Sequence, residues 1–254
     1  MMVRRGVLVV EGFRRACSFL TVCPIRASDA WTPETLGSSM VYYPLVGALI
    51  GLVLGGLFFL LSAGFALSIV CVLLLAASAL ITGGLHMDGL SDTIDGLNGS
   101  YNREDALRIF KDSHVGAMAV IGMALTILLK YACLTHIPAD KMLVTLVLTT
   151  TLSRYGMVQL ACFSPYARAS GGVAQPFVQG IRGQHFSGAL VLTLALVLGF
   201  GGWRGLVLGL LVGLVTLAYQ VYFRRRLGGI TGDVLGASNE LNETLVLLVA
   251  TLLY

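Results

Sequence analysis

Charged side chains are scarce in this sequence, and their scarcity excludes an ordinary soluble domain. Asp, Glu, Lys and Arg make up 12% of the 254 residues, whereas a soluble domain usually carries about 25%. Internal repeats and low-complexity linkers are also lacking, so one domain over residues 1–254 is expected. Hydrophobic residues make up 56% of the chain and the mean hydropathy is +0.85, which predicts an all-α, polytopic membrane protein.

Cysteine pairs of the kind that bind metals or form disulfide frameworks are also missing. The five cysteines are odd in number, widely spaced and without a Cys-x-x-Cys pair, so we interpret them as small apolar residues. The net charge of +4 comes from basic residues spread over several loops, which gives no indication of nucleic acid as a partner. Glu11, Arg14 and Arg15 interrupt the first apolar run and no small-residue cleavage site follows it, so a cleavable signal peptide is not expected.

Long hydrophobic runs are abundant, and seven of them approach the length needed to cross a bilayer. They lie at 42–63, 66–82, 115–135, 141–163, 187–201, 203–222 and 240–254. Residues 1–30 differ, because an apolar stripe that includes Phe13 and Leu20 runs beside Arg14, as in a helix that lies in the membrane interface. The prediction is a bundle of about seven transmembrane helices in the lipid bilayer, preceded by an interfacial helix.

The basic residues predict how these helices are oriented. With the N-terminus in the cytoplasm, thirteen Lys and Arg residues fall on the cytoplasmic side and three on the outer side, which is a strong positive-inside bias. The outer three are Lys130, Lys141 and Arg204. The same topology brings the loops 83–114, 164–186 and 223–239 together at the cytoplasmic face.

Two rows of glycines at four-residue spacing predict close approach of helix backbones. The rows are Gly47, Gly51 and Gly55, and Gly205, Gly209 and Gly213. Helix packing within the chain is the interpretation we favour over a substrate role. The same rows would permit close packing of subunits, so a homo-oligomer is left open.

Three acidic residues at the edge of an apolar run indicate a metal site. Asp88, Asp92 and Asp95 have the spacing i, i+4, i+7, which puts three carboxylates on one face of a helix. Such charges repel one another unless a cation lies among them, and no basic residue follows until Arg103. Oxygen ligands with spare coordination positions suit Mg²⁺, so we predict that these three carboxylates bind magnesium.

The acidic segments 83–114 and 223–243 lie at span ends, where ionisable residues are costly and usually functional. The candidates for acid–base catalysis are His86, Asp95, Asp112 and Asp233. The candidates for contacts with a phosphate-bearing substrate are Lys111, Ser113, Arg154, Thr231, Gly232 and Glu240. Other roles stay open for three of them: His86 as the group that orients a carboxylate or as the end of a span, Asp112 as a second metal ligand or an N-cap, and Arg154 as the partner of an acid.

Several motifs resemble the cobalamin synthase family, the adenosylcobinamide-GDP ribazoletransferases. The longest is Thr82-Gly-Gly-Leu-His86-Met-Asp88-Gly-Leu-Ser-Asp92-Thr-Ile-Asp95-Gly96. The others are Lys111-Asp112-Ser113 followed by Gly116, Ser153-Arg154, Leu227-Gly-Gly-Ile-Thr231-Gly232-Asp233-Val-Leu-Gly236-Ala, and Phe19-Leu-Thr21 with Pro24. The resemblance runs from about residue 12 to 245, with one departure, because the family often has Arg where His114 follows the Asp-Ser pair.

The resemblance implies an enzyme of the bacterial inner membrane that completes the nucleotide loop of vitamin B12. It implies that adenosylcobinamide-GDP is joined to α-ribazole, or to its 5′-phosphate, with release of GMP and with Mg²⁺ as cofactor. Two alternatives stay open. A membrane phosphotransferase of the CDP-alcohol type also uses spaced aspartates, although its usual Asp-Gly-x-x-Ala-Arg element is not found after Asp95-Gly96. A transporter would place ionisable groups near the middle of the bilayer.

Overall fold

A computed structural model describes residues 2–25, 31–100, 102–110 and 114–254, with side chains from residue 9 onwards. Every regular element in these ranges is helical, which confirms the predicted all-α class. Two short 3₁₀ turns, Met40–Tyr42 and Ala139–Lys141, precede longer helices. The α-helices are α1 (Met2–Leu20), α2 (Pro33–Ser39), α3 (Tyr43–Ser62), α4 (Leu67–Thr82), α5 (Leu85–Asn98), α6 (Arg103–Ile109), α7 (Ala117–His136), α8 (Met142–Phe163), α9 (Gln175–Gly180), α10 (Gly183–Leu227) and α11 (Gly232–Leu253).

The 45-residue helix α10 is a hairpin of two arms rather than one rod. Gly202 interrupts it with φ 55° and ψ −137°, a backbone conformation that residues other than glycine rarely adopt. A Cβ atom on Gly205 would lie 2.4 Å from the carbonyl oxygen of Val197, although eight residues of straight helix would separate them by about 12 Å. The chain therefore reverses at Gly202, and the predicted stretches 187–201 and 203–222 are two separate helical arms.

A sharp elbow separates α4 from α5. Gly83 and Gly84 both have left-handed backbone angles, with φ of 62° and 70°, and the two helices meet at an angle of 91°. The chain thus leaves the apolar helix α4 and turns into the helix that carries Asp88, Asp92 and Asp95. The helical spacing predicted for these acids is confirmed.

The glycine row of α3 packs against α8 at backbone distance. A Cβ atom on Gly47 would lie 2.2 Å from the carbonyl oxygen of Thr150, and one on Gly51 would lie 2.5 Å from the Cα atom of Val147. Only glycine permits this approach, which confirms that the row serves helix packing.

Three helical stretches are long and apolar enough to cross a membrane: Pro33–Ser62, Ala117–His136 and Gly183–Leu227. The bent pair α4 and α5 would make a fourth. The predicted number of seven membrane-crossing helices is not confirmed. Helices α8 and α11 are not among the candidate stretches, because they carry polar and charged residues among their apolar ones. The last predicted stretch, 240–254, corresponds to the C-terminal part of α11, which begins eight residues earlier at Gly232.

The N-terminal helix α1 is docked on the bundle. Ala16 and Leu20 are fully buried, and the ring of Phe13 packs edge-on against Tyr42 at a centroid distance of 6.3 Å. Arg14 pairs with Glu11 on the exposed side of the helix. Residues 26–30, with the predicted cytoplasmic cation Arg26, lie outside the described residues.

Candidate active site

Two glycines allow α5 and α11 to cross in near contact. A Cβ atom on Gly89 would lie 2.8 Å from the carbonyl oxygen of Asp233 and 3.1 Å from the Cα atom of Gly236. A Cβ atom on Gly236 would in turn lie 3.2 Å from the Cα atom of His86. The crossing therefore brings the acids of the first predicted segment next to Asp233 of the second.

Asp88, Asp92 and Asp233 form an acidic cluster at this crossing, outside the three apolar stretches that are candidates to cross the membrane. Asp88 is exposed, whereas Asp92 and Asp233 are half-buried. Burial, together with the carboxylates of Asp233 and Asp88, raises the pKa of Asp92 to about 6. Neither the Asp88 side chain nor the Asp92 side chain forms a hydrogen bond or an ion pair with any residue that the structure describes. The cluster therefore concentrates negative charge that the described protein side chains leave mostly uncompensated.

Arg168 is a member of the site that the sequence did not single out. Its Nη2 atom donates hydrogen bonds to Asp233 Oδ2 at 2.6 Å and to the carbonyl oxygen of Phe110 at 3.0 Å. Burial raises the pKa of Asp233, and the Arg168 guanidinium opposes that rise. Arg168 lies in the loop after α8, where it is the one cation between Phe163 and Arg182. That isolation was the signal that sequence reasoning could have used.

Thr231 and Gly232 form the start of α11 and orient Asp233. The Thr231 hydroxyl accepts a hydrogen bond from the amide of Val234 at 3.3 Å, as an N-cap does, and donates one to Asp233 Oδ2 at 3.0 Å. Gly232 is the first residue of the helix. Both residues adjoin the acidic cluster, so their predicted part in substrate binding stays a prediction.

The glycines before Thr231 serve the turn between α10 and α11. Gly228 ends α10 with φ 75°, and a Cβ atom on Gly229 would lie 2.2 Å from the carbonyl oxygen of Pro165. The amide of Ile230 donates to that same oxygen at 2.9 Å. These glycines therefore serve a tight turn and a close approach of two backbones.

Asp95 caps the start of α7, a role that the sequence did not predict. Its Oδ2 atom accepts a hydrogen bond from the amide of Gly116 at 2.6 Å, and its Oδ1 atom accepts one from the amide of Ala119 at 3.2 Å. The carboxylate thus satisfies amides that have no partner within the first turn of α7, where negative charge is also favourable. Each carboxylate oxygen retains a second acceptor site, so the predicted roles of Asp95 in metal binding and catalysis stay predictions.

A second charged group lies deep between α7, α8 and α11, and we call it the buried ion layer. It consists of Lys130, Arg154, Glu240 and Glu243. Lys130 Nζ lies 2.6 Å from both Glu240 Oε2 and Glu243 Oε2, and Arg154 donates to Glu243 Oε1. Two cations and two anions balance, so the layer is neutral and internally paired.

The buried ion layer corrects three expectations. Arg154 reaches an acid, as one of the two alternatives held, and is not left free for a phosphate. Glu240, expected to bind substrate, is 7% exposed and paired with Lys130. Lys130, expected to face the outer side, is buried inside the bundle because it neutralises both glutamates.

His86 also belongs to the bundle interior rather than to the acidic cluster. It is buried between α5 and α11, and its Nδ1 atom lies 3.2 Å from Asn239 Nδ2. Asn239 in turn donates to Glu243 at 3.3 Å. His86 thus faces the buried ion layer, and its predicted part in acid–base catalysis stays a prediction.

Lys111, Asp112 and Ser113 lie outside the described residues, so their predicted roles stay predictions. Within the ranges that the structure describes, no three His, Cys, Asp or Glu side chains are arranged to hold a metal ion by themselves. The loops 83–114, 164–186 and 223–239, predicted to lie together, do meet. Arg103 donates to the carbonyl oxygens of Leu227 and Ala167 at 2.7 and 3.0 Å.

Comparison with known proteins identifies the family to which these motifs belong. Residues 12–251 match the model of the cobalamin-5-phosphate synthase family. The chain belongs to that family. Adenosylcobinamide-GDP ribazoletransferase of Geotalea daltonii is 39% identical over 92% of this chain and 94% of its own length. The protein of the same name from Pseudomonas syringae is 40% identical over 94% of this chain and 98% of its own, and that from Clostridium acetobutylicum 34% over 96% and 94%.

No solved structure matches this chain. Membership of the cobalamin-5-phosphate synthase family favours the predicted ribazoletransferase over a CDP-alcohol phosphotransferase or a transporter. The family match spans every element of the site, from α5 with Asp88 and Asp92 to α11 with Asp233.

Proposed function

We propose that this protein is an adenosylcobinamide-GDP ribazoletransferase. It joins adenosylcobinamide-GDP to α-ribazole, or to α-ribazole 5′-phosphate, and releases GMP, which gives adenosylcobalamin or its 5′-phosphate. The names and near-complete coverage of its relatives support this activity. The observation that carries the proposal in the structure is the acidic cluster, because the side chains of Asp88 and Asp92 form no hydrogen bond or ion pair with a described residue.

Magnesium fits this cluster better than a metal that needs a complete protein cage. Mg²⁺ retains several waters and is bound through one or two carboxylates together with substrate phosphates. Asp88 and Asp92 would hold it, and their mutual repulsion supports a cation between them. When bound, the ion neutralises charge on a diphosphate. We leave Asp95 out of this set, because backbone amides already donate to both of its oxygens.

Asp233 is the residue we assign to accept the proton of the attacking hydroxyl. Arg168 and Thr231 hold its Oδ2 atom, which leaves Oδ1 without a hydrogen bond to a described residue. Burial raises the pKa of Asp233, and a base with a raised pKa takes up a proton more readily near neutral pH. Asp233 is itself part of the acidic cluster, where the diphosphate would lie.

The transfer is a displacement at the phosphorus attached to cobinamide. A ribose hydroxyl of the ribazole attacks this phosphorus, the bond from phosphorus to the bridging oxygen breaks, and GMP leaves with that oxygen. The proton of the hydroxyl passes to the Asp233 carboxylate. A hydroxyl that is free in both α-ribazole and its 5′-phosphate is required if both are substrates, so the 5′ position is not the nucleophile.

The membrane arrangement that accompanies this function has seven crossings. They are α3, α4, α7, α8, the two arms of α10, and the part of α11 from residue 240 onwards. The reversal at Gly202 supports counting α10 twice. The cation bias supports a cytoplasmic N-terminus and a cytoplasmic acidic cluster in the inner membrane. Labelling of Val173→Cys with an impermeant maleimide tests on which side of the membrane the loop after α8 lies. Val173 is suitable because it is 79% exposed in the loop that carries Arg168. We expect reaction in inverted vesicles and none in intact cells.

The direct test of the reaction uses purified full-length protein in detergent or nanodiscs. Adenosylcobinamide-GDP and α-ribazole are supplied with Mg²⁺, with EDTA, or with one substrate omitted, and GMP is quantified. We expect GMP only with both substrates and Mg²⁺. Absence of GMP under all conditions from folded protein would contradict the assignment, and undiminished GMP in EDTA would contradict the metal.

A further inference from the structure

A polar cavity of about 490 Å³ adjoins the acidic cluster through Arg168. The loop after α8, the short helix α9 and Arg103 enclose it. The side chains with polar groups that line it are Arg103, Ser164, Tyr166, Arg168, Gln175 and Gln179. Its size is within the range of small-molecule sites, which hold ligands in about 300–1,000 Å³.

Three polar atoms of side chains that line this cavity are buried with no hydrogen-bond partner among the described residues. They are the hydroxyl of Ser164, a residue 7% exposed, the hydroxyl of Tyr166, and Nε of Arg168. A buried polar atom without a partner is costly, and each such atom in a native protein calls for an explanation. A polar ligand in the cavity would offer hydrogen-bond partners to these groups.

The cavity is held in shape by contacts that do not use these atoms. Arg103 clamps the carbonyl oxygens of Leu227 and Ala167, and a short parallel bridge joins Tyr166 to Ile230. Gly172 makes room, because a Cβ atom there would lie 2.2 Å from the hydroxyl of Tyr166. The walls are therefore built before any ligand arrives.

We propose that this cavity receives the guanosine phosphate end of the activated corrinoid, which then leaves as GMP; the inference rests on the proposed ribazoletransferase activity. Carboxamides such as Gln175 both donate and accept, as the polar edge of guanine requires. The guanidinium of Arg168 suits a phosphate oxygen. Because Arg168 also contacts Asp233, a nucleotide in this cavity has its phosphate end directed toward the acidic cluster.

The other substrate groups fit this cavity poorly. The dimethylbenzimidazole base of α-ribazole is largely apolar. In this cavity it would leave the hydroxyl and amide groups of the walls without hydrogen-bond partners. A corrin ring with its side chains is too large for about 490 Å³. The remaining polar group is the nucleotide.

The experiment measures GMP binding directly, by isothermal titration of the full-length protein in detergent micelles. Ser164→Ala and Gln175→Ala each remove one wall group, and Ser187→Ala and Gln184→Ala, on the exposed start of α10, are the matched controls. We expect about 5- to 10-fold weaker GMP binding in the two cavity variants, as for loss of one neutral hydrogen bond, and wild-type binding in the controls. Thermal unfolding of Ser164→Ala is expected to be unchanged, because its hydroxyl has no partner to lose.

Three further arms separate the outcomes. AMP is expected to bind more weakly than GMP to the wild type, and the cavity variants are expected to leave α-ribazole 5′-phosphate binding unchanged. Unchanged GMP binding in both cavity variants, or a loss confined to α-ribazole 5′-phosphate, would overturn the inference. GMP release by the wild type, assayed separately, tests the activity itself; if release occurs while the variants bind GMP normally, only the cavity assignment is lost.

Discussion

Helix α11 carries two groups of charge that behave in opposite ways. At its start, Asp233 joins Asp88 and Asp92 in a cluster whose negative charge is only partly met by Arg168. Two turns further on, Glu240 and Glu243 pair with two buried cations, and the four charges balance. Acidic residues thus stabilise the bundle in the buried ion layer, whereas in the acidic cluster they leave negative charge uncompensated. Burial of a carboxylate says little about its role until its partners are known.

The largest effect is expected from breaking the buried ion layer. Glu243→Gln leaves Lys130 and Arg154 with one anion between them in a buried setting, and loss of one partner from such a pair costs about 3–5 kcal/mol. We expect a lower yield of folded protein and a markedly lower unfolding temperature in detergent. Glu34→Gln, on the exposed first turn of α2, is the control. A wild-type unfolding temperature for Glu243→Gln would contradict the structural role.

The next effect is expected at the acidic cluster and concerns activity instead of stability. Asp92→Asn removes a carboxylate assigned to magnesium, and loss of metal-assisted charge stabilisation of several kcal/mol predicts at least about 100-fold slower GMP release. Repulsion with Asp88 and Asp233 is relieved, so the unfolding temperature is expected to stay the same or rise. Asp140→Asn, on an exposed turn, is the matched control. Near-native turnover of Asp92→Asn at saturating Mg²⁺ would remove Asp92 from the site.

A smaller effect is expected where α5 and α11 cross. Gly89→Ala places a methyl group 2.8 Å from the carbonyl oxygen of Asp233, so the helices must separate. Overpacking of this kind costs about 1–3 kcal/mol, and activity is expected to fall with it because the acids move apart. Gly56→Ala, on α3 with nothing within 4 Å, is the control and is expected to be neutral or slightly stabilising. Equal behaviour of the two variants would show that the close crossing is not needed.

The smallest effect is expected at Asp95, and it separates a cap from a ligand. Asp95→Ala leaves the amides of Gly116 and Ala119 without their acceptor, and loss of a cap costs about 1 kcal/mol. We expect a modest fall in unfolding temperature with GMP release per folded molecule within about threefold of wild type. A loss of activity as large as that of Asp92→Asn would return Asp95 to the metal site.

Local patterns in the sequence were sufficient to predict the helices and the part of the acidic cluster that lies on α5. Asp88 and Asp92, four residues apart, share one face of a helix however the helices pack against one another. The glycine row of α3 packs as its spacing predicts. The reversal at Gly202 was also visible, because the apolar stretch is interrupted there.

The pairing of distant charges could not be read from the sequence. Arg168 and Asp233 are 65 residues apart, and Lys130 and Glu243 are 113 apart, so only the packing of α5, α7, α8 and α11 decides who meets whom. For the same reason Asp95, which shares the spacing of its neighbours, turns instead to the start of α7. Identical spacing permits a ligand or a cap, and the position of the next helix decides between them.

The most direct test of the central claim is divalent metal binding, measured by Mn²⁺ electron paramagnetic resonance on full-length protein with GDP present as a diphosphate. We expect bound Mn²⁺ that Mg²⁺ displaces in the wild type and in Asp95→Ala, and loss of the bound signal in Asp92→Asn. Retention of displaceable Mn²⁺ by Asp92→Asn, or its absence from the wild type, would contradict the assignment of the acidic cluster.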